Sequence, residues 1–145
     1  MKKQILRLTI FIIFAFVFIN CTSTSSYLPE TINIIPPSKD LPSEIAALSG
    51  KWKGTLSIGS EIILVVEQID NAVANIIVSR IDPNSGNSMY QYHEAAILSG
   101  PIMIYRDTYE TCTVSIKNEL NKLSISCKDE TVNSRTEGEL IRVIN

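Results

Sequence analysis

The chain has few of the residues that chemistry needs. One histidine, His93, and three cysteines among 145 residues provide no ligand set at zinc spacing. Nor do they pair with a serine or cysteine as base and nucleophile. No glycine-rich phosphate loop is present. Asp82-Pro83-Asn84-Ser85-Gly86-Asn87 lacks the closing Glu and the spacing of a calcium-binding EF-hand, so it reads as a turn. Carboxylates such as Glu61, Glu67, Asp82, Asp107 and Glu110 are scattered along the chain, and no pair stands out. These absences exclude a recognisable catalytic residue, a metal centre and a cofactor. Basic residues are also too few and too dispersed for nucleic acid, since beyond residue 50 nine Lys and Arg face twelve Asp and Glu. Finally, no apolar run reaches the roughly 20 residues of a comfortable bilayer span.

What is present begins at the N-terminus. Lys2, Lys3 and Arg7 precede an unbroken apolar run from Ile10 to Ile19, and Cys21 comes directly after it. After Cys21 comes the polar stretch Thr22-Ser23-Thr24-Ser25-Ser26. This order is that of a secretory signal peptide over residues 1–20 with a cysteine at the cut. It resembles a bacterial lipoprotein signal, and Asn20 before the cysteine is similar to the relaxed signals of spirochaete lipoproteins. The resemblance implies lipid on Cys21, membrane attachment through several acyl chains, and residence in the bacterial cell envelope, on the periplasmic or outer-membrane face. Thr22 is not acidic, so by analogy with enteric lipoproteins nothing retains the chain at the inner membrane.

Residues 21–41 read as a Ser/Thr/Pro-rich tether with Pro29, Pro36 and Pro37. Proline fixes φ and removes a donor, which favours extended chain. At polyproline spacing such a tether reaches on the order of 60 Å. Ile32, Ile34 and Ile35 are apolar enough to dock on the domain. Residues 42–145 suffice for one small core. Pro42-Ser43-Glu44 and then Ile45-Ala46-Ala47-Leu48 predict a single helical turn with Ser43 as N-cap.

Beyond it the hydrophobic period changes to two. Trp52, Gly54, Leu56 and Ile58 alternate with Lys51, Lys53, Thr55 and Ser57, as in a half-buried strand. Further strands are expected over 61–69, 72–81, 89–98, 102–107, 111–117, 122–128 and 138–144, separated by Gly, Asn, Asp and Pro turns. The fold class is therefore all-β, an antiparallel eight-stranded meander that closes to leave no free edge. Ile63, Val65, Ile76, Val78 and Ile97 are expected to fill its interior.

The hairpin near the C-terminus sets its own register. With 118–121 as the loop, Ile116 faces Leu123, Val114 faces Ile125, and Cys112 faces Cys127, all on one face. Directly opposed residues lie within disulfide reach, and an exported protein meets an oxidising compartment. A Cys112–Cys127 disulfide is expected.

Leu48-Ser49-Gly50-Lys51-Trp52 places a G-x-W motif at the entry to the first strand, and Arg142 stands in the last. This resembles the calycin superfamily of lipocalin-like up-and-down barrels. The resemblance implies that Trp52 packs at the closed end and that Arg142 covers its ring as a cation–π partner. The strands are shorter than those of true lipocalins and imply a low barrel filled by side chains. Tyr90, Tyr92, Tyr105 and Tyr109 are candidate recognition residues, since aromatics are common in binding surfaces. The expected function is a non-enzymatic binding or interaction module on a lipid anchor, facing an unknown protein or small molecule. A calycin-type hydrolase inhibitor acting through residues 22–41 and an apolar-ligand carrier are the alternatives.

Overall fold

The computed structural model describes residues 27–144, except 99 and 118. The signal segment and Cys21 lie outside the described residues. One four-residue helix, α1 (Ser43–Ala46), precedes eight strands: β1 (Gly50–Leu56), β2 (Glu61–Ile69), β3 (Val73–Ile81), β4 (Ser88–Leu98), β5 (Ile102–Arg106), β6 (Glu110–Ile116), β7 (Lys122–Asp129) and β8 (Arg135–Arg142). Each pairs antiparallel with its sequence neighbours, and β1 pairs with β8, so the meander is a closed barrel. Short strands with frequent turn residues can bury one face only by curling on themselves, and closure removes both edges.

The strands fall close to the predicted segments. The largest shift is in β8, which begins three residues before the expected 138. In α1, Pro42 takes the N-cap position and no side chain caps it; Ser43 is already helical. Proline's fixed φ suits the residue that opens a helix.

Trp52, Leu64, Ile76, Met103, Leu123 and Ile125 point inward and are fully buried. Leu41, Ile45 and Leu48 from α1 and its flanks join the same core and plug the end where β1 begins. The β1–β8 seam is very close. A Cβ on Gly54 would lie 1.9 Å from the Glu139 carbonyl oxygen, and one on Gly138 would lie 2.7 Å from that of Thr55. Glycine at both positions lets first and last strands meet.

The interior filling departs from expectation at two positions. Ile76, Val78 and Ile97 belong to the core, but Ile63 and Val65 face outward with Ile77. β2 is apolar on both faces, so its alternation alone does not choose a side. Pairing decides: Leu64 lies opposite Trp52, and directly opposed residues share a face. Ile62, Leu64 and Val66 therefore fill the barrel. A β-bulge between Val66 and Gln68 restores Ile69 to the inside.

The outer apolar face is covered by the segment expected to be a tether. Leu28 and Ile32 pack on Ile63, Val65 and Ile77. The Ile35 N–H donates to the Glu67 carbonyl at 2.7 Å, and the Asn33 N–H donates to Glu67 Oε1 at 3.1 Å. Of the isoleucines expected to dock, Ile32 does so through its side chain, while Ile34 and Ile35 remain exposed.

Candidate functional site

The meander gives the barrel two unlike ends. The turns at 70–72 and 100–101, residues 119–121 and α1 gather at one. The turns at 57–60, 82–87, 107–109 and 130–134 gather at the other, here called the mouth.

The plugged end carries the motif residues. Trp52 and Arg142 are register partners on β1 and β8, and the guanidinium carbon lies 4.1 Å from the indole centroid. The indole N–H donates to the Leu48 carbonyl at 2.9 Å. Arg142 donates to the Ser49 carbonyl at 2.7 Å and to the Ala47 carbonyl. It thus ties the last strand to the carbonyls just past α1, which have no helical partner of their own. Gly50 has φ +117°, and a Cβ there would lie 2.7 Å from Arg142 Nη1. The spacing of G-x-W has a physical reason here. The chain turns at Gly50 with a backbone that L-residues rarely adopt, leaves room for the arginine, and delivers the indole beneath it.

At the mouth the inward rows turn polar. Arg80 continues the row of Ala74, Ile76 and Val78 on β3. Its Nη1 pairs with Glu110 Oε2 at 2.5 Å, and its Nη2 lies 3.2 Å from Cys127 Sγ and 3.4 Å from Cys112 Sγ. Those cysteines are directly opposed on β6 and β7 and are joined as a disulfide, with Cα atoms 4.0 Å apart. The rest of the hairpin register also matches expectation. Burial lowers the Arg80 pKa, but Tyr105 and Glu110 together outweigh it and hold the group above its ordinary value. Glu110, Cys112 and Cys127 place potential ligand atoms within 4.8 Å of one another. With both sulfurs in the disulfide and the carboxylate on Arg80, that trio is already engaged.

Val78, Arg80, Met89, Gln91, His93, Tyr105 and Asp107 line a cup of about 130 Å³. Tyr105 is 2% exposed; the Arg80 guanidinium is near enough to its oxygen to act on it electrostatically and as a hydrogen-bonding neighbour, whereas its O–H finds no acceptor among the described residues. Burial pushes its pKa up to about 12, so the phenol stays a neutral donor. The His93 ring lies 5.2 Å from that of Tyr105, and its Nδ1 is 3.1 Å from the Arg106 carbonyl. This histidine is held by backbone and ring contacts, with no nucleophile beside it in those contacts.

The four candidate tyrosines do not share a face. Tyr90 and Tyr92 meet edge to face on the outside of β4, with centroids 6.2 Å apart. Tyr105 lies inside the barrel, and Tyr109 stands exposed on the turn between β5 and β6. The 82–87 segment is a turn, as expected. Asp82 Oδ1 accepts from the Asn84 N–H at 2.8 Å, and Oδ2 accepts from the Ser85 hydroxyl at 3.0 Å. These bonds hold Asp82 below its usual pKa.

Sequence reading missed Arg80 and its pairing with Glu110. The available signal was the alternation of β3: carried to the strand's end, it turns a lone arginine inward behind three apolar residues. No protein-family model matches the chain, and no curated protein does. The class that stands is a closed eight-stranded antiparallel barrel with one plugged end and one polar mouth.

Proposed function

We propose that the chain is a membrane-tethered envelope lipoprotein whose lipocalin-like barrel serves as a non-enzymatic interaction module, with the mouth as its contact surface. The observation that carries this reading is the contrast between the ends. Trp52, Arg142 and α1 seal one, whereas the other holds the buried Tyr105 O–H without an acceptor inside a rim of exposed Ile58, Met89, Tyr109 and Val132. Apolar groups are exposed at the sealed end too, but only at the mouth do they ring an open cup with a buried donor, and exposed apolar rims of this kind mark contact surfaces.

The alternatives fare less well. A carrier of apolar ligands needs an empty interior, and here large buried side chains fill the inward rows. An inhibitor acting through its N-terminal segment needs that segment free, and Leu28 and Ile32 are engaged on the barrel. Attachment rests on the signal-like N-terminus and Cys21. The test is palmitate labelling with intact-mass analysis of the mature protein. The expected result is a chain beginning at an acylated Cys21, with Cys21→Ala releasing the domain from the membrane fraction. An unmodified thiol at residue 21, or cleavage elsewhere, refutes it.

A further inference from the structure

The segment over β2 and β3 gives the barrel a direction relative to whatever holds its N-terminus. Toward the plugged end, the chain leaves Glu67 and proceeds to α1. Toward the mouth, it covers Ile63, Val65 and Ile77. The cover extends at least to the row of Ile63 and its register partner Ser79, because Ser79 shares that outer face and is fully buried. The chain therefore enters from the mouthward side.

We propose that this strap holds the barrel mouth-first against a lipid bilayer, and that Ile58, Met89, Tyr109 and Val132 enter its interfacial layer. The proposal rests on membrane attachment through Cys21. Five residues lie between Cys21 and Tyr27, a reach of at most about 20 Å. From Ile63 to the 70–72 turn the barrel extends about 25 Å the other way along the strand and roughly 20 Å along its axis at the usual strand tilt, which takes up the whole of that reach. Exposure alone does not choose an end, since Leu120 and Ile144 are exposed at the plugged one. Reach and strap direction do choose.

The chemistry of the rim suits a neutral interface. Each of four mouth turns or their flanks brings one apolar or aromatic side chain: Ile58, Met89, Tyr109 and Val132 are 60, 71, 62 and 70% exposed. Tyrosine favours the layer where one end of a side chain is apolar and the other wet. The acids Asp82, Asp107 and Asp129 accept backbone N–H groups within their own turns, and of the basic residues that share one register row at this end, Arg106, Lys128 and Arg135, Lys128 is paired with Glu130 at 3.4 Å and Arg135 with Glu137 at 4.0 Å. Binding is therefore expected to be insensitive to salt.

The experiment uses the mature acylated protein on phosphatidylcholine vesicles with brominated acyl chains, which quench nearby indoles. Val132→Trp and Leu120→Trp place a reporter at opposite ends, with buried Trp52 as common background. The Val132→Trp reporter is expected to lose most of its emission, unchanged by salt, while the Leu120→Trp reporter keeps its own. Ile32→Asp, which loosens the strap, is expected to erase that difference. Equal quenching, stronger quenching at Leu120→Trp, or no quenching of protein that floats with the vesicles overturns the mouth-first arrangement. Acylated protein that does not float overturns membrane attachment itself, and the proposal with it.

Discussion

At the plugged end of this barrel, both the indole N–H and the guanidinium find carbonyl partners in the residues just past α1. At the mouth, a phenol of similar burial finds none. The same eight strands build both ends, and the difference lies in what closes them. At the plugged end, α1 and its flanks supply apolar side chains and free carbonyls. At the mouth, only short turns cross the opening, and inward groups there pair with one another or stay unpaired. A buried donor without a partner costs roughly 1–3 kcal/mol. On the proposed reading, the mouth keeps that cost because it serves contact rather than stability.

The largest expected effect is at the plugged end. Trp52→Ala is expected to destabilise by about 3–5 kcal/mol, as for large aromatic truncations in a core. Urea unfolding monitored by circular dichroism measures it, and a loss below about 1 kcal/mol would erase the contrast between the ends. Next comes the covalent tie at the mouth. Replacing both Cys112 and Cys127 with serine is expected to cost about 3 kcal/mol in the chain-entropy argument, read as a lower urea midpoint. An unchanged midpoint would show that the mouth hairpin holds without its bond.

The alkaline limb separates the ends by pH. In the unfolded chain a tyrosine ionises near 10, whereas in the fold Tyr105 is pushed up to about 12. The neutral phenol is favoured in the folded state. Stability from this source is thus complete below about pH 10 and lost as pH rises to about 12, a change of roughly 2–3 kcal/mol. Tyr105→Phe is expected to remove that slope, and a slope that persists in the variant would assign it elsewhere.

Smaller effects sharpen the comparison. Arg142→Ala is expected to cost about 1–2 kcal/mol, in line with a cation–π contact. Unfolding of this variant beside Trp52→Ala gives the ranking, and a larger loss for Arg142→Ala would reverse it. Tyr105→Phe at neutral pH is expected to raise stability by about 1 kcal/mol, because it removes a buried donor that has no acceptor and leaves no partner behind. A loss above about 1 kcal/mol in the same assay would mean that the phenol is bonded after all.

Much of the plugged end was legible in the sequence, because its information is local or carried by rare residue types. A single tryptophan two residues after a glycine and a late arginine carried the resemblance that implied the meeting of Trp52 and Arg142. The β6–β7 register was legible for a similar reason: cysteine and apolar pairs agree on one alignment. The side taken by Ile63 and Val65 was not legible, since β2 offers apolar residues to both faces and the cover comes from Leu28 and Ile32, some 30 positions away. Arg80 escaped notice because its partner Glu110 is remote in sequence and one among many carboxylates. The close β1–β8 seam at Gly54 and Gly138 depends on a pairing between chain regions about 85 residues apart, which no local pattern encodes.

The central claim is that the mouth is the contact surface and the plugged end a structural seal. Amide hydrogen exchange of the mature protein, bound to native envelope membranes and then released from them, tests it most directly. The account predicts slowed exchange in the bound state at 57–60, 82–87, 107–109 and 130–134, with 70–72 and 119–121 unchanged. Protection confined to 70–72 and 119–121, or equal at both ends, would contradict it.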